Sequence, residues 1–422
     1  MTVMDSPSAP VSGRWMNRSS PPHITTLVLI AGLAALNMNI ILPSLPSMAV
    51  YFEADYALVA LSISAYLGVT GVLQLFVGPL SDRFGRRPVM LVSLIVFGLA
   101  TIGTLAAQTI TTFLIFRLVQ AAIATGLVLS RAVVRDIVGT DRAASMIGWV
   151  TMGMSLVPMV GPVLGGALDE MFGFHASFAL TLAFGVIVGL IVYFDMGETN
   201  HNRSASITAQ FRQYPDLVTS LRFWGYTLVA TFASGAFFAF LGGGPYVATE
   251  VLHISPASLG LYFGIIAFGY MIGNFLSGVF SEKVGVNRMM LSGSIIAVAG
   301  MSFSLCLFLA GVFHPISLFG PMLFVGLGNG LTLPSANAGM VSVRPHLAGS
   351  ASGLGGAVMI GGGAGLSAIT GALLGPDTGP YPLLFMMLGS SFLSMLVSVY
   401  VIHVARIRAA SANATSQAQH ET

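Results

Sequence analysis

"VGPLSDRFGRRPVML", residues 77–91, sets four charged side chains, Asp82, Arg83, Arg86 and Arg87, among the helix punctuators Gly78, Gly85 and Pro88. It does so between two long stretches that carry no charge at all. A helix crossing about 30 Å of hydrocarbon needs about 20 mostly apolar residues, so the flanks read as two membrane spans and the charged island as the turn joining them. Composition extends this reading to the whole chain. Of 422 residues, 55% are hydrophobic and 8% charged, against about 25% charged in a soluble chain. The protein is read as integral to a membrane.

Charges and Gly/Pro breaks place twelve spans, near 24–48, 57–80, 89–108, 109–130, 145–168, 176–195, 223–248, 256–280, 289–312, 315–336, 350–374 and 382–404. Lys and Arg are retained in the cytoplasm. With the N-terminus inside, sixteen of the 17 cations fall on inner segments and none on the outer loops, which hold Glu53, Asp55, Asp169, Glu170, Glu250 and Asp377. The remaining cation, Arg117, lies within a span. This implies a multi-pass protein with both termini cytoplasmic. Residues 1–22 read as a tail, too long and irregular for a cleaved leader. Residues 23–196 and 223–404 form two six-helix bundles, 197–222 a cytoplasmic linker, and 405–422 a small, polar and disordered tail.

The two halves repeat. "GPLSDRFGRRPVML" at 78–91 aligns with "GVFSEKVGVNRMML" at 278–291, keeping Gly78/Gly278, Ser81/Ser281 and Gly85/Gly285, with Asp82/Glu282 and Arg83/Lys283 preserving charge. Both copies follow the second span of their half, so the repeat is parallel. The expected fold is an all-α membrane protein of twelve transmembrane helices in two parallel six-helix pseudo-repeats.

The first copy resembles the signature loop of the major facilitator superfamily, Gly-x-Leu-x-Asp-Arg-x-Gly-Arg-Arg, through Gly78, Leu80, Asp82, Arg83, Gly85, Arg86 and Arg87. The resemblance implies a conformational latch on the inner side, with Arg86 meeting Asp136 beyond the fourth span. "FRLVQAA" resembles the Arg-x-x-Gln pattern of proton-coupled members through Arg117 and Gln120. "GPVLGG", with Gly161, Pro162, Gly165 and Gly166 and with Pro158 upstream, resembles the fifth-span pattern that marks exporters in this family. Its glycines and prolines kink a helix and admit a neighbour closely. "RAVVRD" at 131–136 and the small-residue runs of 328–357 are similar to the bicyclomycin and chloramphenicol resistance group of drug:proton antiporters.

One position departs from that group. Its first span ends Asp-x-x-x-Pro, whereas this chain reads "NMNIILPSLP", with Asn39 at the carboxylate position. At about 1.5 Å per residue, Asn39 and Arg117 both lie roughly 13 Å below the outer surface, so the two are expected to face each other. Asn39 cannot titrate, and all 15 acidic residues fall at span ends, loops or tails. Arg117 then either binds an anionic or zwitterionic substrate or sits satisfied by Asn39 and water. In the family the first, fourth, seventh and tenth spans line the path. This nominates Asn37, Asn39, Arg117, Gln120, Phe237, Phe238 and Phe240, with Tyr66 on the second span, and Asn329 and Asn337 on the tenth.

Other classes fall away. A net charge of +2 forms no basic face for nucleic acid. The one lysine, Lys283 in "SEKVGV", is not in a nucleotide-binding loop, so ATP is not expected. No span pairs His with Glu or Asp, so neither a metal nor a hydrolytic enzyme is expected, and no cofactor is implied. The reading is a bacterial inner-membrane exporter of small organic compounds, working by alternating access and exchanging them for protons. An uncoupled or substrate-exchanging facilitator and a membrane sensor on a transporter scaffold are the alternatives.

Overall fold

The computed structural model describes residues 15–18, 20–137, 157–200, 214–344 and 348–420. Within them the chain is helical, with no strand among the described residues. The first span is interrupted: α1 (Ile24–Asn39) gives way to a 3₁₀ turn at Leu42–Ser44, and α2 (Leu45–Tyr51) completes the crossing. Two prolines, Pro43 and Pro46, start the pieces that follow the break. Next come α3 (Tyr56–Phe84) and α4 (Arg86–Ala106). The fourth span is again in pieces, α5 (Ile110–Val119), a 3₁₀ segment at Gln120–Ala124, and α6 (Thr125–Ile137). The first group closes with α7 (Val157–Phe172) and α8 (His175–Asp195).

A short α9 (Tyr214–Val218) leads into the second group, α10 (Leu221–Tyr246), α11 (Pro256–Val284), α12 (Val286–Leu309), α13 (Pro315–Ser342), α14 (Ala348–Leu373) and α15 (Tyr381–His420). A π turn at Val247–Val251 extends α10. Eleven spans among the described residues are long and apolar enough to cross a membrane. The remaining crossing is α7, of which the described part is 16 residues; the rest of the expected span at 145–168 lies outside the described residues.

The internal repeat is written into the backbone. Helices α3 and α11 both have 29 residues, and their ends are offset by 200 positions. Positive φ angles recur at the same offset, at Glu53 (49°) and His253 (53°), and at Gly85 (101°) and Gly285 (85°). The last helix departs from expectation: the segment read as a disordered tail continues α15 to His420. Its alanines are the strongest helix formers, and elongating an existing helix needs no new nucleus.

Packing differs between the two membrane faces. On the face opposite the signature loops, one apolar core contains residues of both groups, from Ile40, Leu45, Met48, Val59 and Ile63 to Phe240, Leu241, Phe263, Phe319 and Leu384. Toward the loop face it divides. One cluster, including Leu27, Met90 and Val192, belongs to the first group alone, and another, including Phe223, Met290 and Met340, to the second alone.

Candidate functional site

Arg117 is fully buried although it sits in mid-span. A charge there costs about 2.5–3.5 kcal/mol on insertion scales, so its partners decide its state. Nη1 donates to Gln120 Oε1 (2.8 Å) and Asn37 Oδ1 (3.1 Å), Nη2 to the Asn37 carbonyl (2.9 Å), and Nε to the Ser62 carbonyl (3.2 Å). The guanidinium carbon lies 4.3 Å from the centre of the Tyr66 ring, within cation–π range. Asn37 Nδ2 in turn donates to Tyr66 Oη (3.2 Å), and Gln120 Nε2 to Thr101 Oγ1 (2.8 Å).

No carboxylate takes part in these bonds, and the helix breaks explain how the charge is tolerated. Helix α1 stops at Asn39, which leaves the Asn37 carbonyl among the last-turn acceptors without a helical donor. Helix α5 stops two residues after Arg117. The cation therefore lies at the negative end of α1, with Gln120 opening the 3₁₀ segment beside it.

Asn39 is elsewhere. Its Nδ2 donates to the Ala35 carbonyl of its own helix (2.7 Å), while Oδ1 is buried and unpaired. Its Cβ faces Gly161 of α7. The expected Asn39–Arg117 pairing is thus corrected: residues two apart point to opposite sides of a helix, and Asn37 holds the side toward Arg117.

The remaining nominated residues disperse. Phe240 is fully buried, packed on Phe263 and Phe319 at centroid distances of 5.0 and 5.9 Å. That placement makes it part of the core and corrects its nomination as a wall residue. Phe238 is buried, and Phe237 is half-buried against it. Asn329 is buried in α13, and Asn337, two turns on, is exposed.

The signature loop is tied into a polar cluster. Arg86 Nη1 lies 2.6 Å from Asp82 and Nε 3.0 Å from Asp136, and Nη1 also donates to Ser81 Oγ. Gly78 accepts from Ser81 Oγ (2.8 Å), and Arg83 points outward, over the Phe84 ring. Arg87 donates to the Tyr193 carbonyl (3.1 Å).

The sequence reading left Glu198 in the linker, yet it belongs to this cluster. Its Oε1 accepts from the backbone N–H groups of Arg86 (2.9 Å), Thr199 (3.1 Å) and Asn200 (2.9 Å). A carboxylate at the N-terminus of α4 meets unpaired donors and the positive end of the helix. Asn200 Nδ2 also donates to the Asp82 carbonyl (3.0 Å), and Thr199 Oγ1 to Asp136 (3.2 Å). Asp195, also unremarked in the sequence, is fully buried and accepts from Met16 N (2.7 Å), His23 N (2.9 Å) and Thr26 Oγ1 (2.6 Å), which ties the start of α1 to the end of α8.

The Gly-Pro pattern works by close approach. A Cβ on Gly165 would fall on the Ile40 carbonyl, and one on Gly166 on the Pro256 carbonyl of α11. Reciprocally, Gly260 of α11 faces the Pro162 carbonyl. Helix α7 therefore packs backbone to backbone against both the broken first span and the second group. Pro158 lies in α7, and its side chain is outside the described ones.

Comparison with known proteins decides the family. The profile described as Major Facilitator Superfamily matches residues 27–368 and 245–418. The chain belongs to the Major Facilitator Superfamily. Members are transporters rather than enzymes, and this one falls in the drug-efflux group of the family. It is 28% identical over 387 residues to the bicyclomycin resistance protein homolog of Haemophilus influenzae, covering 90% of this chain and 95% of that one. Over 321 residues it is 30% identical to the chloramphenicol resistance protein of Pseudomonas aeruginosa, covering 75% and 76%. A bacterial homolog of the human lysosomal transporter Spinster, solved inward-facing and unoccupied, superposes with a TM-score of 0.67 at 16% identity, covering 91% of this chain and 96% of that one. That likeness concerns the facilitator fold.

Proposed function

We propose that this facilitator-family transporter exports small drug-like organic compounds across the bacterial inner membrane by alternating access. The observation that carries the reading is the asymmetric core: one apolar cluster joins both groups on one face, and separate clusters serve them on the other. A path between the groups is then sealed on the first face and free to part on the second. With the signature-loop face and both termini in the cytoplasm, as the cation distribution suggests, this arrangement is closed to the outside.

Coupling is read from the Arg117 node. Proton exchange through the first span needs a titratable group there, and Asn39 offers none. Arg117 is held by neutral groups and a helix end rather than by a carboxylate that could trade a proton. These features favour uncoupled or substrate-exchange transport. A second reading, proton antiport through the substrate itself or through Asp82 and Asp136, rests on the charged cluster at the loop face.

The test is export by the reconstituted chain, with chloramphenicol and bicyclomycin as probes, an imposed pH gradient and internal pH recorded beside the flux. The unaltered protein is expected to move probe without moving protons, and Asn39→Asp to move both. Proton flux with probe in the unaltered chain supports the second reading, and no probe flux from either protein overturns export of these compounds.

A further inference from the structure

Tyr56, the first residue of α3, was not nominated from the sequence. Its Oη donates to the carbonyl of Gly242 in α10 (3.0 Å), so the bond joins the first helical group to the second. Its ring packs at 5.0 Å on Tyr246, one turn further along α10. The contact is confined on its third side by α14. A Cβ on Gly242 would fall on the Ser367 carbonyl, and Gly371, one turn on from Ser367, meets Ala60, one turn on from Tyr56.

What lies above and below gives the contact its meaning. Above is a cleft of about 370 Å³, lined from the first group by Ala49, Glu53 and Asp55 and from the second by Tyr246 and Glu250. Below are Val59, Ile63 and Phe240, all fully buried in the shared core. Tyr56 thus stands at the boundary between an open cleft and the apolar seal, and its hydroxyl bridges the two bodies that must separate for that face to open.

We propose that Tyr56 is a positioning residue of the transport cycle, whose hydroxyl fastens the two groups together on the outer face only while that face is closed. The inference rests on the alternating-access reading. Opening breaks the bond and hydrates both partners, so the hydroxyl biases the equilibrium toward the outer-closed state. A neutral hydrogen bond of ordinary net strength shifts such an equilibrium about fivefold.

The experiment uses the full chain in lipid nanodiscs on a Cys306→Ser background, which removes the single native thiol. Spin labels at Val50→Cys and His253→Cys span the outer mouth, and labels at Phe84→Cys and Val284→Cys span the inner one. Tyr56→Phe keeps the ring and deletes the bond. It is expected to raise the long-distance outer population about fivefold while shortening the inner distance. General loosening would broaden both pairs without this opposed change. Gly242→Ala, which forces a methyl against Ser367, is expected to act in the same direction.

If Tyr56→Phe leaves both distributions as in the parent, while chloramphenicol moves the parent's two pairs in opposite senses, the clamp is overturned and alternating access stands. If neither pair moves in any variant or with probe, the alternating-access reading falls and takes the clamp with it.

Discussion

The two copies of the signature loop share a backbone and differ in chemistry. Both turns pivot on a glycine at positive φ, Gly85 and Gly285, between a 29-residue helix and the next span. In the first copy Arg86 reaches Asp82 and Asp136, and Glu198 caps the following helix. In the second, Val286 stands where Arg86 would be; α13 and α15 start 205 and 206 positions after α5 and α8, so the positions matching Asp136 and Glu198 are Val341 and Val404. Around Val286, Asn287 and Arg288 there is instead a cleft of about 350 Å³, and the polar tie is a hydrogen bond from Tyr226 to Asn287 (3.0 Å). A repeated glycine preserves a turn, and the ionic cluster is an elaboration that one copy carries and the other lacks.

Five substitutions test how deep that difference goes. The largest effect is expected from Gly85→Ala. At φ 101° and ψ 152° only glycine is at ease, and a Cβ would displace the Glu198 carboxylate. A loss of about 2–4 kcal/mol is expected. Gly285→Ala shares the strain but meets open space, so about 1–2 kcal/mol is expected; thermal unfolding in detergent compares the two. Equal losses would mean that Glu198 contributes nothing to the turn.

Asp136→Asn comes next, followed by Asp82→Asn. The Asp136 and Asp82 side chains are 22% and 31% exposed, so solvent screens both pairs. Losses of about 1–2 kcal/mol are expected, below the 3–5 kcal/mol of a fully buried pair, with Asp136→Asn the larger. The smallest effect belongs to Val286→Arg. Glu282, the counterpart of Asp82, stands four residues before the new guanidinium, whereas the counterparts of Asp136 and Glu198 are apolar, so a gain of no more than about 0.5 kcal/mol is expected. A larger gain would show that this copy contains a further partner for the charge.

The fold was legible because lipid imposes a simple rule: long uncharged runs, interrupted by cations on one side, leave little freedom in topology. The offset of 200 between "GPLSDRFGRRPVML" and "GVFSEKVGVNRMML" likewise reappears in helix lengths and φ angles. The site was less legible, for reasons of direction rather than depth. Counting residues put Asn39 and Arg117 at the same level, but only azimuth tells Asn37 from Asn39, although Pro43, whose ring excludes the carbonyl four residues back, does mark the break after Asn39. Phe240 shows the same limit, since a phenylalanine on a path-lining helix can face the path or its neighbours with an identical sequence pattern. Glu198 was hidden by context. It follows the sixth span in a polar stretch, and nothing local announces that its carboxylate returns to a helix N-terminus 112 positions earlier. Nine of the 15 acidic residues fall on the arginine-rich side, so the charge of Glu198 alone did not single it out.

The final helix runs 40 residues without interruption. At about 1.5 Å per residue it is about 60 Å long, roughly twice the thickness of the hydrocarbon layer. The excess makes a stiff mast fixed to the second group. A fluorophore or affinity handle fused beyond His420 would swing with the second group, turning a small tilt inside the bilayer into a larger sweep in the aqueous phase.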